Sequence, residues 1–140
     1  MKILPFLILF TFYLFNINAQ TKEDGIYQVV EEMPRFPGCE NESKDKRMDC
    51  VNKKFLTFIY ENLIYPEEAK RNETEGTVIV QFVIKKDGSI DNYKIVKDIG
   101  DGCAKEAIRV LKEMPIWIPG KQRGKPVNVR YTLPVKFKLP

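Results

Sequence analysis

Val127-Asn128-Val129-Arg130-Tyr131-Thr132-Leu133-Pro134-Val135-Lys136-Phe137-Lys138-Leu139 alternates without a break: Val127, Val129, Tyr131, Leu133, Val135, Phe137 and Leu139 fall on one side, and Asn128, Arg130, Thr132, Pro134, Lys136 and Lys138 on the other. A period of two belongs to a strand with one face buried and one in water. At about 3.3 Å per residue it reaches roughly 40 Å, beyond what any other predicted strand can cover. Pro134 has no N–H for a ladder, so the strand is expected at a sheet edge or broken at that residue. Its outward cations would protect such an edge from aggregation. The same edge could serve as a docking rail, where an extended partner peptide adds as a further strand held by main-chain hydrogen bonds. On that second reading a proline at Val129 or Tyr131 is expected to abolish docking.

Upstream, Gly76 opens another alternation, with Val78, Val80, Phe82 and Ile84 facing one way and Thr77, Gln81 and Lys85 the other. Lys86-Asp87-Gly88-Ser89 is an Asp-Gly hairpin turn, and residues 90–97 are the return strand. Ile90 and Tyr93 sit on opposite parities, which calls for a bulge between them or puts Ile90 in the turn. Val51, Phe55, Phe58, Ile59 and Asn62 or Leu63 recur at three and four, predicting an amphipathic helix from Asn52, its N-cap. A short second helix follows Pro66 and ends near Asn72, with Glu67 and Glu68 at its start and Lys70 and Arg71 at its end. A third follows Gly100, capped by Asp101, with Cys103, Ala107, Val110 or Leu111, and Met114 as its apolar stripe and Pro115 as its stop. Between it and the last strand, residues 121–126 read as a basic turn.

The chain of 140 residues has room for one domain. Its 44% hydrophobic and 30% charged residues are those of a protein with a packed core. It contains no histidine, which removes Ser-His-Asp and Cys-His nucleophiles, HExxH zinc sites and Cys2His2 fingers. The only serines, Ser43 and Ser89, lie in a polar loop and a turn, the pairs Glu31-Glu32 and Glu67-Glu68 sit in exposed contexts, and no Gly-rich phosphate loop precedes a helix. An enzyme is not expected, nor any cofactor or metal. The net charge of +4 comes from interspersed cations and anions, not a basic block, so nucleic acid is not an expected partner.

Lys2 precedes an apolar run over residues 3–15 that polar Asn16 and Asn18 end early, too short for a spanning helix of about 20 residues. The reading is a signal peptide over 1–19 cleaved after Ala19, with export to the periplasm; the alternative is a retained inner-membrane anchor facing the periplasm. Cleavage removes Lys2, giving 4 − 1 = +3. Residues 20–51 form an irregular leading segment, broken by Pro34, Pro37 and Gly38, with Met33 and Phe36 docked on the domain formed by 52–140. Export permits a disulfide, and Cys39 with Cys50 is the simplest pair, since the two enclose a short polar loop; pairs with Cys103 and no bond at all are the alternatives. Cys103 on its apolar stripe reads as core.

Five stretches in order resemble the C-terminal domain of the TonB energy-transducer family: Tyr65-Pro66-x-x-Ala69; Glu75-Gly76-Thr77-Val78-Ile79-Val80-Gln81-Phe82-Val83-Ile84 with Asp87-Gly88-Ser89-Ile90; Glu106-Ala107-Ile108-Arg109-Val110-Leu111-x-x-Met114-Pro115; Trp117-x-Pro119-Gly120; and Gly124-Lys125-Pro126-Val127 before the last strand. The stretch Val30-Glu31-Glu32-Met33-Pro34-x-Phe36-Pro37-Gly38 resembles the lead-in of TonB-like proteins of the Bacteroidetes lineage. The resemblance implies an α+β fold, a three-stranded antiparallel sheet with two helices on one face in the order α-β-β-α-β. It also implies a partner, the N-terminal box peptide of outer-membrane TonB-dependent receptors, added along the last strand through Val127, Asn128, Val129, Arg130, Tyr131, Thr132, Leu133, Val135 and Lys136. Full transducers of the family also meet an inner-membrane proton-motive-force complex and carry a long Pro-rich spacer. Here about thirty residues separate the apolar run from the domain, which favours a free periplasmic module over a tethered transducer. The rival from another class is a structural module whose long strand pairs with its own copy as a homodimer.

Overall fold

The computed structural model describes residues 22, 23 and 25–140; the expected signal peptide over 1–19 and its cleavage after Ala19 lie outside the described residues. The elements run β1 (Lys22–Glu23), β2 (Ile26–Tyr27), α1 (Lys44–Asn62), α2 (Glu67–Arg71), β3 (Gly76–Ile84), β4 (Ile90–Lys97), α3 (Cys103–Lys112), β5 (Gly120–Gln122) and β6 (Lys125–Phe137). The class is α+β. Strand order is β1-β2-β6-β3-β4, with β5 paired to the start of β6.

Alternation in the sequence becomes a two-faced sheet. Val78, Val80, Phe82 and Ile84 of β3 are fully buried, beside Val129, Leu133, Val135 and Phe137 of β6. The helices cover this face with Val51, Phe55 and Ile59 from α1, Ala69 from α2, and Cys103, Ala107, Val110 and Leu111 from α3. At one end the rings of Phe36 and Phe55 lie 5.8 and 5.2 Å from Trp117, which also meets Tyr131 at 5.6 Å. Each such edge-on contact is worth about 0.5–1.5 kcal/mol beyond the area it buries. Gly88 fixes how closely the β3–β4 turn meets this cluster. Its φ is +85°, and a Cβ there would stand 2.1 Å from the Trp117 carbonyl oxygen. The Trp117 N–H donates to the Gly88 carbonyl at 2.9 Å.

Several expectations are corrected. The sheet is mixed, because β2 pairs with β6 in parallel at Asn128 and Val129, so the plain three-stranded antiparallel sheet is incomplete. The last strand is unbroken at Pro134 and pairs with β3 from Val129 to Phe137. Helix α1 begins at Lys44 with Ser43 at its N-cap position, well before Asn52, since its first turns face solvent and carry no apolar stripe. Gly102 stands at the N-cap of α3, while the Asp101 carboxylate accepts instead from the Thr74 hydroxyl. Residues 121–126 are β5, a two-residue turn and the start of β6; Arg123 and Gly124 both have positive φ, 51° and 73°, as a tight hairpin turn requires. Phe36 is buried, but Met33 is 39% exposed. The parity change in β4 is resolved by a register shift facing Gln81–Val83, with Asn92 at φ 56° as the extra residue.

Cys39 and Cys50 are joined, Cα to Cα 6.0 Å, tying the leading segment to α1. The thiol of Cys103 is buried, and burial raises its pKa, so it stays protonated at neutral pH. Among the described residues no helix is long and apolar enough to cross a membrane.

Candidate functional site: the outer edge of the last strand

Strand β6 has β3 on one edge; its other edge is occupied only at Asn128 and Val129, by β2, and no described strand pairs with it over residues 131–137. Which main-chain groups face outward follows from one contact. The Lys136 N–H donates to the Tyr60 hydroxyl at 3.2 Å and therefore points away from β3. In an antiparallel pair, residues alternate between those bonded to the neighbour and those turned from it. The even residues Thr132 and Pro134 are thus turned outward with Lys136, while Tyr131, Leu133 and Val135 spend their N–H and C=O groups on β3. Pro134 is tolerated in mid-strand because its missing donor would have faced out, where no described strand needs it.

This parity sorts the candidate residues. Val127 is engaged by β5, opposite Gly120. Asn128 and Val129 meet β2, and the Asn128 side-chain oxygen also accepts from the Lys86 N–H at 2.9 Å. Leu133 and Val135 are buried in the core, and Tyr131 is half-buried. Burial raises the Tyr131 phenol above its ordinary pKa, so it acts as a neutral ring. Arg130 is partly buried and borders β2, while the Thr132, Pro134 and Lys136 side chains are exposed on the opposite face. Past Arg130, the main-chain groups turned outward are the Thr132 N–H and C=O and the Pro134 and Lys136 C=O.

Helix α1 stands beside this edge and runs along β6 in the same sense: the Phe55 ring meets Tyr131 at 6.3 Å and Tyr60 reaches Lys136. A latch at its end holds it there. Arg109 of α3 forks onto Glu106 at 2.6 and 2.9 Å and donates to the Asn62 carbonyl at 2.8 Å, and Glu106 accepts from the Ile64 N–H at 2.8 Å. Burial alone would raise the Glu106 carboxyl, but these donors outweigh it and hold it below its usual range. Past the latch, Tyr60, Leu63, Tyr65, Lys136, Phe137 and Lys138 line an open cleft of about 470 Å³ at the end of the free edge. The Tyr65 ring packs edge-on to Phe137 at 5.7 Å, and its hydroxyl donates to the Thr74 carbonyl.

The contribution of α1 was not read from the sequence. Its signal was a second apolar series, Met48, Leu56, Tyr60 and Ile64 at multiples of four, alongside the core stripe. Among the described residues no group of three Cys, Asp or Glu could hold a metal ion. The site has the chemistry of main-chain pairing flanked by apolar side chains.

No curated protein matches the chain. Among solved structures it is similar to the C-terminal domain of Helicobacter pylori TonB. The solution structure of residues 179–285 superposes with a TM-score of 0.50 at 24% identity, covering 74% of this chain and 97% of that one. That of residues 194–285 gives a TM-score of 0.46 at 26% identity, covering 62% and 91%. The first of these likenesses supports the fold. The family description "Gram-negative bacterial TonB protein C-terminal" matches residues 61–139, more than half of the chain. By that match the chain belongs to the TonB C-terminal family.

Proposed function

We infer that this domain takes the N-terminal box peptide of outer-membrane TonB-dependent receptors as an added strand on the outer edge of β6. Membership of the family implies a non-enzymatic role in TonB-dependent energy transduction at the periplasm-facing side of the cell envelope. The finer reading is carried by one observation: β6 is paired on its β3 edge over residues 129–137, but on its other edge only at Asn128 and Val129. An extended peptide set against that edge would bond to the outward groups of Thr132, Pro134 and Lys136, as in other strand additions.

The chain acts on this reading as a free periplasmic module, its signal peptide removed after Ala19, and engages receptors without itself pulling on them. The N-terminal residue of the mature protein checks this part. Gln20 is expected; Met1 would mean a tethered transducer that can reach the inner-membrane proton-motive-force complex.

Peptide capture is tested by fluorescence anisotropy, titrating the protein into a labelled receptor box peptide. Micromolar binding that Thr132→Pro abolishes in a folded protein is the expected result. Absence of binding to any receptor box peptide, or binding that survives the proline, overturns strand addition at this edge.

A further inference from the structure

Beyond Met48 near its start, α1 leaves two large apolar side chains in water: Leu56 is 47% exposed and Tyr60 45%. They lie one turn apart on the side of the helix that carries Tyr60 to the outer edge of β6. Four helical residues rise about 6 Å, and two strand residues about 6.6 Å. Leu56 and Tyr60 therefore have the spacing of alternate side chains of a strand laid on that edge.

We propose that Leu56 and Tyr60 are the second wall of the docking groove and select an extended peptide with apolar residues at alternate positions on its α1 side. This rests on the strand-addition reading above and adds the specificity to it. The peptide's opposite face meets the exposed Lys136, and its end reaches Lys138 at the rim of the cleft. Neither lysine has a carboxylate partner among the described residues, and none of the cleft-lining side chains is acidic. The fitting partner thus carries carboxylates near that end. Tyr60 has two separable parts. Its ring is wall, and its hydroxyl holds the Lys136 N–H, which a longer peptide must take over.

The test uses the labelled receptor box peptide with Leu56→Ser, Tyr60→Ala, Tyr60→Phe and Thr132→Pro proteins, each first shown to be folded by circular dichroism. Leu56→Ser and Tyr60→Ala are expected to weaken binding about fivefold or more, the level of a residue that matters at an interface. Tyr60→Phe, which keeps the ring and releases the Lys136 N–H, should bind as tightly as the parent or tighter. Serine in place of an apolar peptide residue on the α1 side should cost little further affinity once Leu56 is already serine. Unchanged binding by Leu56→Ser and Tyr60→Ala, with Thr132→Pro still abolishing it, overturns the wall and leaves strand addition standing. No binding, or none of it lost in Thr132→Pro, removes both. A dimer seen by light scattering that Leu56→Ser dissociates would assign the groove to a second copy of the chain and overturn the peptide.

Discussion

Replacing Tyr131 and Thr132 by proline, one at a time, should give opposite results although the two are adjacent in one strand. Tyr131 faces Phe82 in the β3–β6 register, and the parity set by Lys136 gives its N–H to β3. Proline there deletes a sheet hydrogen bond and leaves its β3 acceptor unsatisfied, at about 1–3 kcal/mol. It also removes a ring 5.5 Å from Phe82 and 5.6 Å from Trp117, a loss of about 3–5 kcal/mol for a large aromatic in a packed site. Together these approach the whole stability of a small domain, about 5–15 kcal/mol, so Tyr131→Pro should be largely unfolded. Thr132 is exposed and turned away from β3. Proline at 132 removes no sheet bond, meets an already extended predecessor, and restricts the unfolded chain by about 0.4–1 kcal/mol in the stabilising sense. Its stability should stay within about 1 kcal/mol of the parent. Urea unfolding followed through the single tryptophan, Trp117, which is 3% exposed, reads both variants. A Thr132→Pro protein that loses about 3 kcal/mol, or a Tyr131→Pro protein with a parental midpoint, would refute the assignment of parity and with it the identification of the free edge.

Other predictions concern what holds α1 and the Trp117 cluster in place. Gly88→Ala should cost about 2 kcal/mol or more, because the methyl meets the Trp117 carbonyl at a left-handed φ; a parental thermal midpoint would contradict the contact. Reducing Cys39–Cys50 should lower stability by about 2–3 kcal/mol, from the loop of separation 11 it closes, measured as a drop in urea midpoint on adding dithiothreitol. The folded-state pKa of Glu106 is depressed, so its contribution is complete above the unfolded carboxylate value and is lost as pH falls through the folded one. Glu106→Gln should therefore flatten the acid limb of stability below about pH 4.3, seen by denaturation across pH 3–6. Cys103 should resist alkylation at neutral pH in the folded protein and react once urea unfolds it.

Much of this fold was legible because burial and period coincide. Val78, Val80, Phe82 and Ile84, like Val129, Leu133, Val135 and Phe137, bury one parity, with Val83 buried on the other, and Asp87-Gly88 joins β3 to β4. What the sequence left hidden has physical reasons. The first turns of α1, Lys44-Asp45-Lys46-Arg47, are solvated and show no stripe. Asp101 looked like a cap, but the Thr74 hydroxyl took its carboxylate. The mixed sheet depends on a two-residue contact, Ile26–Tyr27 against Asn128–Val129, too short to carry a pattern.

The outer edge of β6 was hidden for a sharper reason. Side-chain alternation tells which residues are buried, but the parity of main-chain donors is set by strand pairing. Val129 and Tyr131 therefore looked like natural positions for a proline test, whereas their odd parity commits them to β3. Thr132, which shares the parity of the tolerated Pro134, tests the edge without dismantling the sheet.

The central claim, that a peptide strand bonds to the outward groups of β6, is tested most directly by amide hydrogen exchange measured residue by residue with and without a saturating receptor box peptide. The Thr132 amide should exchange quickly in the free protein and be strongly slowed by the peptide, while Leu133 and Val135, already bonded to β3, should be protected in both states. Unchanged exchange at Thr132 in the saturated complex would contradict strand addition at this edge.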